Sequence, residues 1–217
     1  GGTTISAGTL TVGAGGQFAN GNYSGTLAVS NNAIFNWNSD QNQTFNTIGA
    51  GTGTINLNGS GSVTISGDQN FTGTLNVAQN LTVTGGSNAL NTGLGKSAAI
   101  NINDGGFVIL TGGYNSFVGW SYAHQVTIYT GGELHSSNPA ASYHLGTLIL
   151  AGGTLSTTGT NTSCCGSFFF DNDVHVTADS VISASNIALT EAANSNTPLT
   201  INIDAGSTLT ISGKIYH

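Results

Sequence analysis

The stretch ININDGGFVIL, residues 100–110, joins two short strings of alternating apolar residues through a turn of Asn, Asp and Gly. Alternation with period two places successive side chains on opposite faces of a β-strand. Alone, the stretch therefore predicts a β-hairpin. The same pattern returns in VTIYTGGELHS (126–136), VHVTADSVISA (174–184) and LTINIDAGSTLTIS (199–212). The chain is therefore an array of repeats, which points to a solenoid.

Aligning the strings on their central turns gives about nine units, spaced roughly 20 to 28 residues apart, within the range of solenoid repeats. Each unit offers apolar residues at every second position, and these are the expected core. They are Ile5, Leu10, Val12, Leu27, Val29, Ile34, Ile55, Leu57, Val63, Ile65, Leu75, Val77, Leu81, Val83, Ile100, Ile102, Phe107, Ile109, Val126, Ile128, Leu134, Leu148, Leu150, Leu155, Val174, Val176, Val181, Leu199, Ile201, Leu209 and Ile211.

A single pair of such strands cannot bury its apolar face, whereas stacked coils can, because each strand pairs with its equivalent in the next coil. The pattern therefore predicts an all-β fold, a parallel β-helix (β-solenoid) of about nine coils and three faces. Irregular stretches such as NALNTGLGKSAA (88–99) are expected to form the third face. Nine coils would make a rod of about 43 Å. The competing architecture is an antiparallel β-sandwich built from hairpins.

The composition limits the classes of function that fit. Charged residues make up 5% of the chain. Lys and Arg together number two, and the formal net charge is −7. Without a cationic surface, binding to nucleic acid or to an anionic membrane is not expected. The longest apolar runs fall short of the roughly 18 residues of a membrane-spanning helix, so membrane insertion is not expected either.

The stretches GGTTISAGTLTVG (1–13) and LGTLILAGGTLSTTG (145–159) resemble the autotransporter-associated β-strand repeat, which is found in the passenger regions of bacterial surface proteins. The resemblance implies a right-handed β-helix and a secreted or cell-surface location. It implies little about biochemical activity. The chain departs from complete autotransporters because it carries no membrane β-barrel translocator, so the resemblance leaves the route of export open.

Residues 1–217 are expected to form one β-solenoid domain. Both ends read as ordinary coils without a polar cap, and uncapped coils expose strand edges and apolar core. Two explanations stay open: the chain is a segment of a longer repeat array, or its open ends pair head to tail with other copies and build a filament.

The acidic residues offer little for catalysis, because most stand alone in turns. Asp104 and Glu133 are expected one coil apart, and paired carboxylates can hydrolyse glycosidic bonds, but nearness alone does not make an enzyme. Asp171 and Asp173 form the one dense acidic pair and would hold Ca²⁺ weakly at best. His124 and His144 occupy similar places in successive coils, with His135 between them in sequence. They are expected to form polar stacks or to bind turn carbonyls rather than a metal. No enzyme activity, cofactor or metal site is expected.

A candidate interaction patch is formed by Trp120, Tyr122, His124, Tyr143 and His144, which fall on adjacent coils. Exposed aromatic and polar side chains of this kind bind sugar rings or partner proteins. The alternative is that these residues are internal stacks or pack under loops.

Two further features involve neighbouring residues of one type. Cys164 and Cys165 could form a vicinal disulfide, although that bridge is strained, and free thiols or links between subunits stay open. Phe168, Phe169 and Phe170 cannot all face one interior, so at least one is expected under a loop or in a subunit contact.

The sequence therefore predicts an extracellular structural protein of the bacterial surface, a rod or filament subunit whose partner is another copy of itself. The second hypothesis is an adhesin module that binds glycans through the candidate interaction patch. A polysaccharide-active β-helix enzyme is a remote alternative, since the chain has no Arg to neutralise an acidic substrate.

Overall fold

The strands of the protein fall into two long sheets and one short one. The computed structural model describes residues 1–67, 69–84, 99–113, 117, 124–158, 167–189 and 199–216. The first sheet holds ten strands, in the order β1 (Thr3–Ile5), β3 (Asn22–Val29), β5 (Gln43–Ile48), β7 (Val63–Ile65), β9 (Asn80–Val83), β11 (Phe107–Leu110), β13 (Glu133–Ser136), β16 (Thr154–Thr157), β19 (Ser180–Ser183) and β22 (Leu209–Ile211).

The second sheet holds nine strands, and the third holds four. The order in the second sheet is β2 (Thr9–Val12), β4 (Ile34–Trp37), β6 (Thr54–Leu57), β8 (Thr74–Val77), β10 (Ala99–Ile102), β12 (Gln125–Tyr129), β15 (Thr147–Ala151), β18 (Val174–Ala178) and β21 (Ile201–Ile203). The order in the third sheet is β14 (Tyr143–Leu145), β17 (Phe168–Phe170), β20 (Asn186–Leu189) and β23 (Lys214–Tyr216). A 3-10 turn, Ala19–Gly21, lies between β2 and β3.

The chain alternates between the sheets and returns to each one coil later. Strand β1 of the first sheet is followed by β2 of the second, and β3 then pairs with β1 in parallel. Neighbouring strands in all three sheets pair in this parallel way. The protein is therefore a β-solenoid, as the repeat predicts, and the antiparallel β-sandwich is excluded.

The predicted number of coils is slightly too high. The solenoid has about seven turns rather than nine. All nine units contribute strands, but the first and last strands of the second sheet have a neighbour on one side only. These end rungs are therefore covered by a neighbouring coil on one side only.

The core consists of columns of equivalent residues from successive coils. One column of the second sheet runs in register through Val12, Trp37, Leu57, Val77, Ile102, Ile128, Leu150, Val176 and Ile203. From Trp37 to Val176 these side chains are buried. Such aligned apolar burial is the main favourable term in folding.

Four residues of the expected core, on three strands, lie on the outer face instead of in the interior. Ile34 and Val181 are exposed, and Phe107 and Ile109 are half-exposed on the outer face. Their chain neighbours fill the core instead: Phe35, Val108, Leu110 and Ile182 are buried. In these strands apolar residues stand on both faces, so the alternation by itself does not define which face points inward.

The third face is more regular than expected over the later coils. From β14 onward it consists of paired strands rather than irregular loops. The stretch 88–99 that was used to predict this face lies outside the described residues except for Ala99, which begins β10.

Candidate functional site

The described members of the candidate interaction patch are buried. His124, Tyr143 and His144 expose 2%, 0% and 5% of their surface. These three side chains therefore form internal packing, the alternative that the sequence left open, and offer little area to a ligand. Trp120 and Tyr122 lie outside the described residues, so the rest of the patch stays a prediction.

Each of these three residues forms a hydrogen bond with a neighbouring coil. The His124 Nε2 accepts a hydrogen bond from the backbone N–H of Gly146 at 3.0 Å, and the Tyr143 hydroxyl donates to the carbonyl of Gly112 at 2.8 Å. Buried polar groups of this kind are costly to leave unpaired. Their role is to fix the corners around the third sheet.

His144 takes part in a stacked ring pair on the third sheet. Its ring lies parallel to that of Phe169, with centroids 4.6 Å apart and 7° between the planes, and its Nδ1 lies 2.8 Å from Asp171 Oδ1. Phe168 and Phe170 face the core. Phe169 faces away from it, as alternation requires, stacks on the His144 ring of the preceding coil and is 5% exposed.

The predicted acidic pair does not share one focus. The Asp171 carboxylate contacts His144, whereas Asp173 Oδ1 accepts a 2.7 Å hydrogen bond from the Thr200 backbone N–H. Across the described ranges no three His, Cys, Asp or Glu side chains converge as metal ligands would. Cys164 and Cys165 lie outside the described residues, so their pairing stays a prediction.

A polar network that the sequence did not indicate lies on the outer face of the first sheet. The Ser156 hydroxyl donates to Glu133 Oε1, and His135 Nδ1 lies 2.7 Å from the same hydroxyl oxygen. His135 Nε2 lies 2.7 Å from Thr158 Oγ1, and its ring packs against Phe107 at 5.7 Å. Glu133 thus contacts the next coil through Ser156. In the described part of the chain the Glu133 carboxylate contacts Ser156 and His135, and Asp104, which the sequence placed one coil away, is not among its partners.

Buried glutamines close the corners between the sheets. The Gln79 Oε1 accepts from the Gly59 backbone N–H, and its Nε2 donates to the Gly61 carbonyl at 3.2 Å. Gln69 binds Ile48 and Gly67 in the same manner. Apart from Gly67, which is in the same coil as Gln69, the backbone groups that these side chains satisfy belong to the preceding coil.

The outer face of the second sheet carries a ladder of asparagine side chains. Each amide nitrogen donates to the side chain one coil earlier: Asn56 to Asn36 at 2.8 Å, Asn76 to Asn56 at 2.7 Å and Asn101 to Asn76 at 2.8 Å. We call Asn36, Asn56, Asn76 and Asn101 the asparagine ladder. It runs along the rod axis and adds a side-chain ladder to that of the backbone.

The end rungs differ from the middle of the rod. Strands β1 and β2 at one end, and β21 and β22 at the other, each pair with one strand only. Their core-facing side chains are less enclosed than those of the middle coils: Leu10, Val12, Ile201 and Leu209 are half-buried, and Ile203 is 49% exposed.

No protein-family model, curated protein or solved structure matches this chain. The resemblance to the autotransporter-associated repeat therefore stays a prediction. In the described part of the chain no helix has the length and apolar character needed to cross a bilayer.

Proposed function

We propose that this chain is an extracellular structural protein, a β-helical rod or filament subunit that assembles head to tail at or outside a bacterial cell surface. The observation that supports the proposal is the continuity of the two long parallel sheets, which end in rungs with one paired edge and one open edge. An open edge offers a row of backbone donors and acceptors to a further strand.

The two end rungs are complementary in strand order and chemistry. A second copy would place its β2 against β21, which keeps the second sheet parallel and its core column continuous. In the second sheet, Val12 would then cover Ile203, since both belong to the same core column. Apolar area removed from water contributes about 25 cal/mol per Å².

The contact is centred on the second sheet. β1 pairs with Leu27–Val29, the half of β3 that follows its shift in register, and not with the half that continues through β5 and β7. Ile215 on β23 is 49% exposed although it lies in register with the buried Ile187, so the last strand of the third sheet is also unenclosed. A heterologous contact of this type does not close into a ring and builds a linear assembly.

The first experiment is cryo-electron microscopy of the untagged chain at rising concentration. The proposal expects filaments whose axial repeat is about 43 Å, the height of the nine rungs of the second sheet in one copy. In the variant Ile203→Lys a charge would have to be buried in the contact, so filaments should be lost. The matched control is Val181→Lys, because Val181 is 38% exposed on the outer face of β19, a strand that is paired on both sides.

Wild-type protein that stays as uniform short rods at high concentration would contradict head-to-tail assembly. Equal loss of filaments in both lysine variants would also contradict it, because a general charge effect would then explain the result.

A further inference from the structure

An open cleft of about 480 Å³ lies where the second sheet turns into the first, over four consecutive coils. Its polar lining comes from Thr130, Thr177, Asp179 and Ser207, and the backbones of Gly152 and Gly206 form part of its wall. Its volume falls in the range of small-molecule sites.

The cleft exists because successive corners differ in length. Strands β18 and β19 are joined by Asp179 alone, whereas five residues, 204–208, join β21 to β22 in the next coil. The pairing register also shifts between Leu150 and Ala151, where β15 meets β18. The short corner recedes beneath the long one, which leaves a depression between them.

Several polar groups in the cleft are available to a ligand. Asp179 Oδ1 accepts a 2.7 Å hydrogen bond from the Thr208 backbone N–H, which fixes the carboxylate in place. Its second oxygen makes no hydrogen bond within the described part of the protein. The hydroxyls of Thr177 and Ser207 have no hydrogen-bond partner there either. The carboxylate can accept hydrogen bonds from a ligand, and the two hydroxyls beside it can both donate and accept them.

An exposed aromatic ring stands beside the cleft. Tyr129 is 41% exposed and directly precedes Thr130 in the chain. Across the neighbouring strands its register partners are Ala151 and then Ala178, which itself lines the cleft. These small side chains form a shelf about 10 Å long, two strand spacings, from the tyrosine to the cleft.

We propose that this cleft is a binding site for an uncharged saccharide, with one sugar ring against Tyr129 and hydroxyl groups on Asp179 and Ser207. Sugar rings present an apolar C–H face that packs on aromatic rings, and their hydroxyls donate well to carboxylates. The carboxylate and the net charge of −7 disfavour acidic sugars. The corner 204–208 belongs to the end rung of β21 and β22, but a saccharide in the cleft requires no second copy of the chain, so the inference goes beyond the proposed rod and does not rest on it.

The test is a titration of the ¹⁵N-labelled full chain, followed by amide NMR shifts and saturation transfer. The probes are the methyl pyranosides of glucose, galactose and mannose, N-acetylglucosamine, cellobiose, maltose and glucuronic acid. The proposal expects at least one neutral probe to shift the amides of Gly152, Gly206 and Ser207. Glucuronic acid should bind at least about tenfold more weakly than that neutral probe, because its carboxylate meets Asp179.

Variants assign the binding to the cleft. Asp179→Asn and Tyr129→Ala should each weaken binding about tenfold, the loss expected for one charge-assisted hydrogen bond or one ring contact. Ala205→Trp should abolish binding, because Ala205 is exposed on the corner and a large side chain there fills the cleft. Asp104→Asn is the matched control, since it removes the same charge from an exposed corner outside the cleft. Near-ultraviolet circular dichroism verifies that each variant is folded.

Three outcomes would overturn the proposal. The first is that none of the neutral probes shifts these amides up to its solubility limit. The second is that binding is unchanged in Asp179→Asn, Tyr129→Ala and Ala205→Trp. The third is that CaCl₂ alone shifts the same amides while the saccharides do not, which would assign the cleft to a cation.

Discussion

The side-chain amide of Asn76 donates a 2.7 Å hydrogen bond to Oδ1 of Asn56, the equivalent residue one coil earlier. Asn76 also accepts from Asn101 one coil later, so its amide is bound on both sides. All donors of the asparagine ladder point in the same direction, and hydrogen bonds aligned in this way polarise one another. The ladder thus connects four coils on the outer face of the rod.

Replacing Asn76 with alanine breaks the asparagine ladder at an internal position. We expect the free energy of unfolding to fall by about 1–2 kcal/mol, the net value of the two hydrogen bonds that are lost. Urea denaturation followed by circular dichroism measures this change. Asn202→Ala is the control, because Asn202 is exposed and donates to no side chain in the described part of the chain; it should change stability by less than about 0.5 kcal/mol. Equal effects of the two variants would show that the ladder contributes nothing.

Gln79→Met tests the corner glutamines without leaving a cavity. Methionine fills the space but cannot accept from Gly59 or donate to Gly61, so a backbone N–H and a carbonyl lose their partners. We expect a loss of about 2–4 kcal/mol in the free energy of unfolding. Hydrogen exchange should accelerate at the Gly59 amide in particular. Unchanged stability together with unchanged exchange at Gly59 would contradict the assigned role.

The hydroxyl of Ser156 links Glu133 to His135, and a double-mutant cycle measures that link. We expect Ser156→Ala and His135→Ala each to lower stability and to show a coupling energy of about 0.5–3 kcal/mol, because both remove the same contact. Ser183→Ala is the matched control: Ser183 is the register partner of Ser156 in the next coil but is exposed. A coupling as small as that between Ser183→Ala and His135→Ala would argue against the network.

The carboxyl group of Asp40 is expected to respond to acid. Hydrogen bonds from the Gln41 side chain and the Gly15 backbone N–H lower its pKa below the ordinary value of 3.8, although the group is fully exposed. Because the folded pKa is lower than the unfolded one, the ionised group stabilises the fold at neutral pH. That contribution is lost as the pH falls from about 3.8 through the lower folded pKa.

NMR titration of the Asp40 carboxyl carbon measures this pKa directly, and its midpoint should lie below 3.8. Asp40→Asn should be less stable than the wild type at pH 7, and the difference should vanish once Asp40 is protonated. A midpoint at or above 3.8 would refute the assigned hydrogen bonds. Asp104→Asn serves as the control for removing an exposed acidic charge from the same kind of corner.

The solenoid could be predicted from the sequence because its signal is local and repeated. Ile100 and Ile102 are both buried because a strand buries every second residue, and this rule needs no knowledge of the neighbouring coil. The rule failed for Ile34 and Val181, since apolar residues next to them could fill the core equally well. Packing against the opposite sheet then selected Phe35 and Ile182.

The candidate site was harder to predict because it depends on contacts between coils. The sequence placed Tyr143 and His144 on adjacent coils with other aromatic residues, but not the side of the sheet that would be covered. The structure stacks His144 on Phe169 and buries both. The asparagine ladder and the corner cleft also join residues from different coils, and their spacing in the chain varies from one coil to the next.

The sequence by itself determined that this chain is a parallel stack of short strands, because period-two alternation and glycine-rich turns act within a few residues. Only the tertiary structure decided which residues of different coils meet. Packing between coils sets Asn56 in register with Asn76 and stacks His144 on Phe169. Corners of unequal length open the cleft beside Asp179. The physical reason is that strand alternation is set by local backbone geometry, whereas register and burial are set by packing between coils.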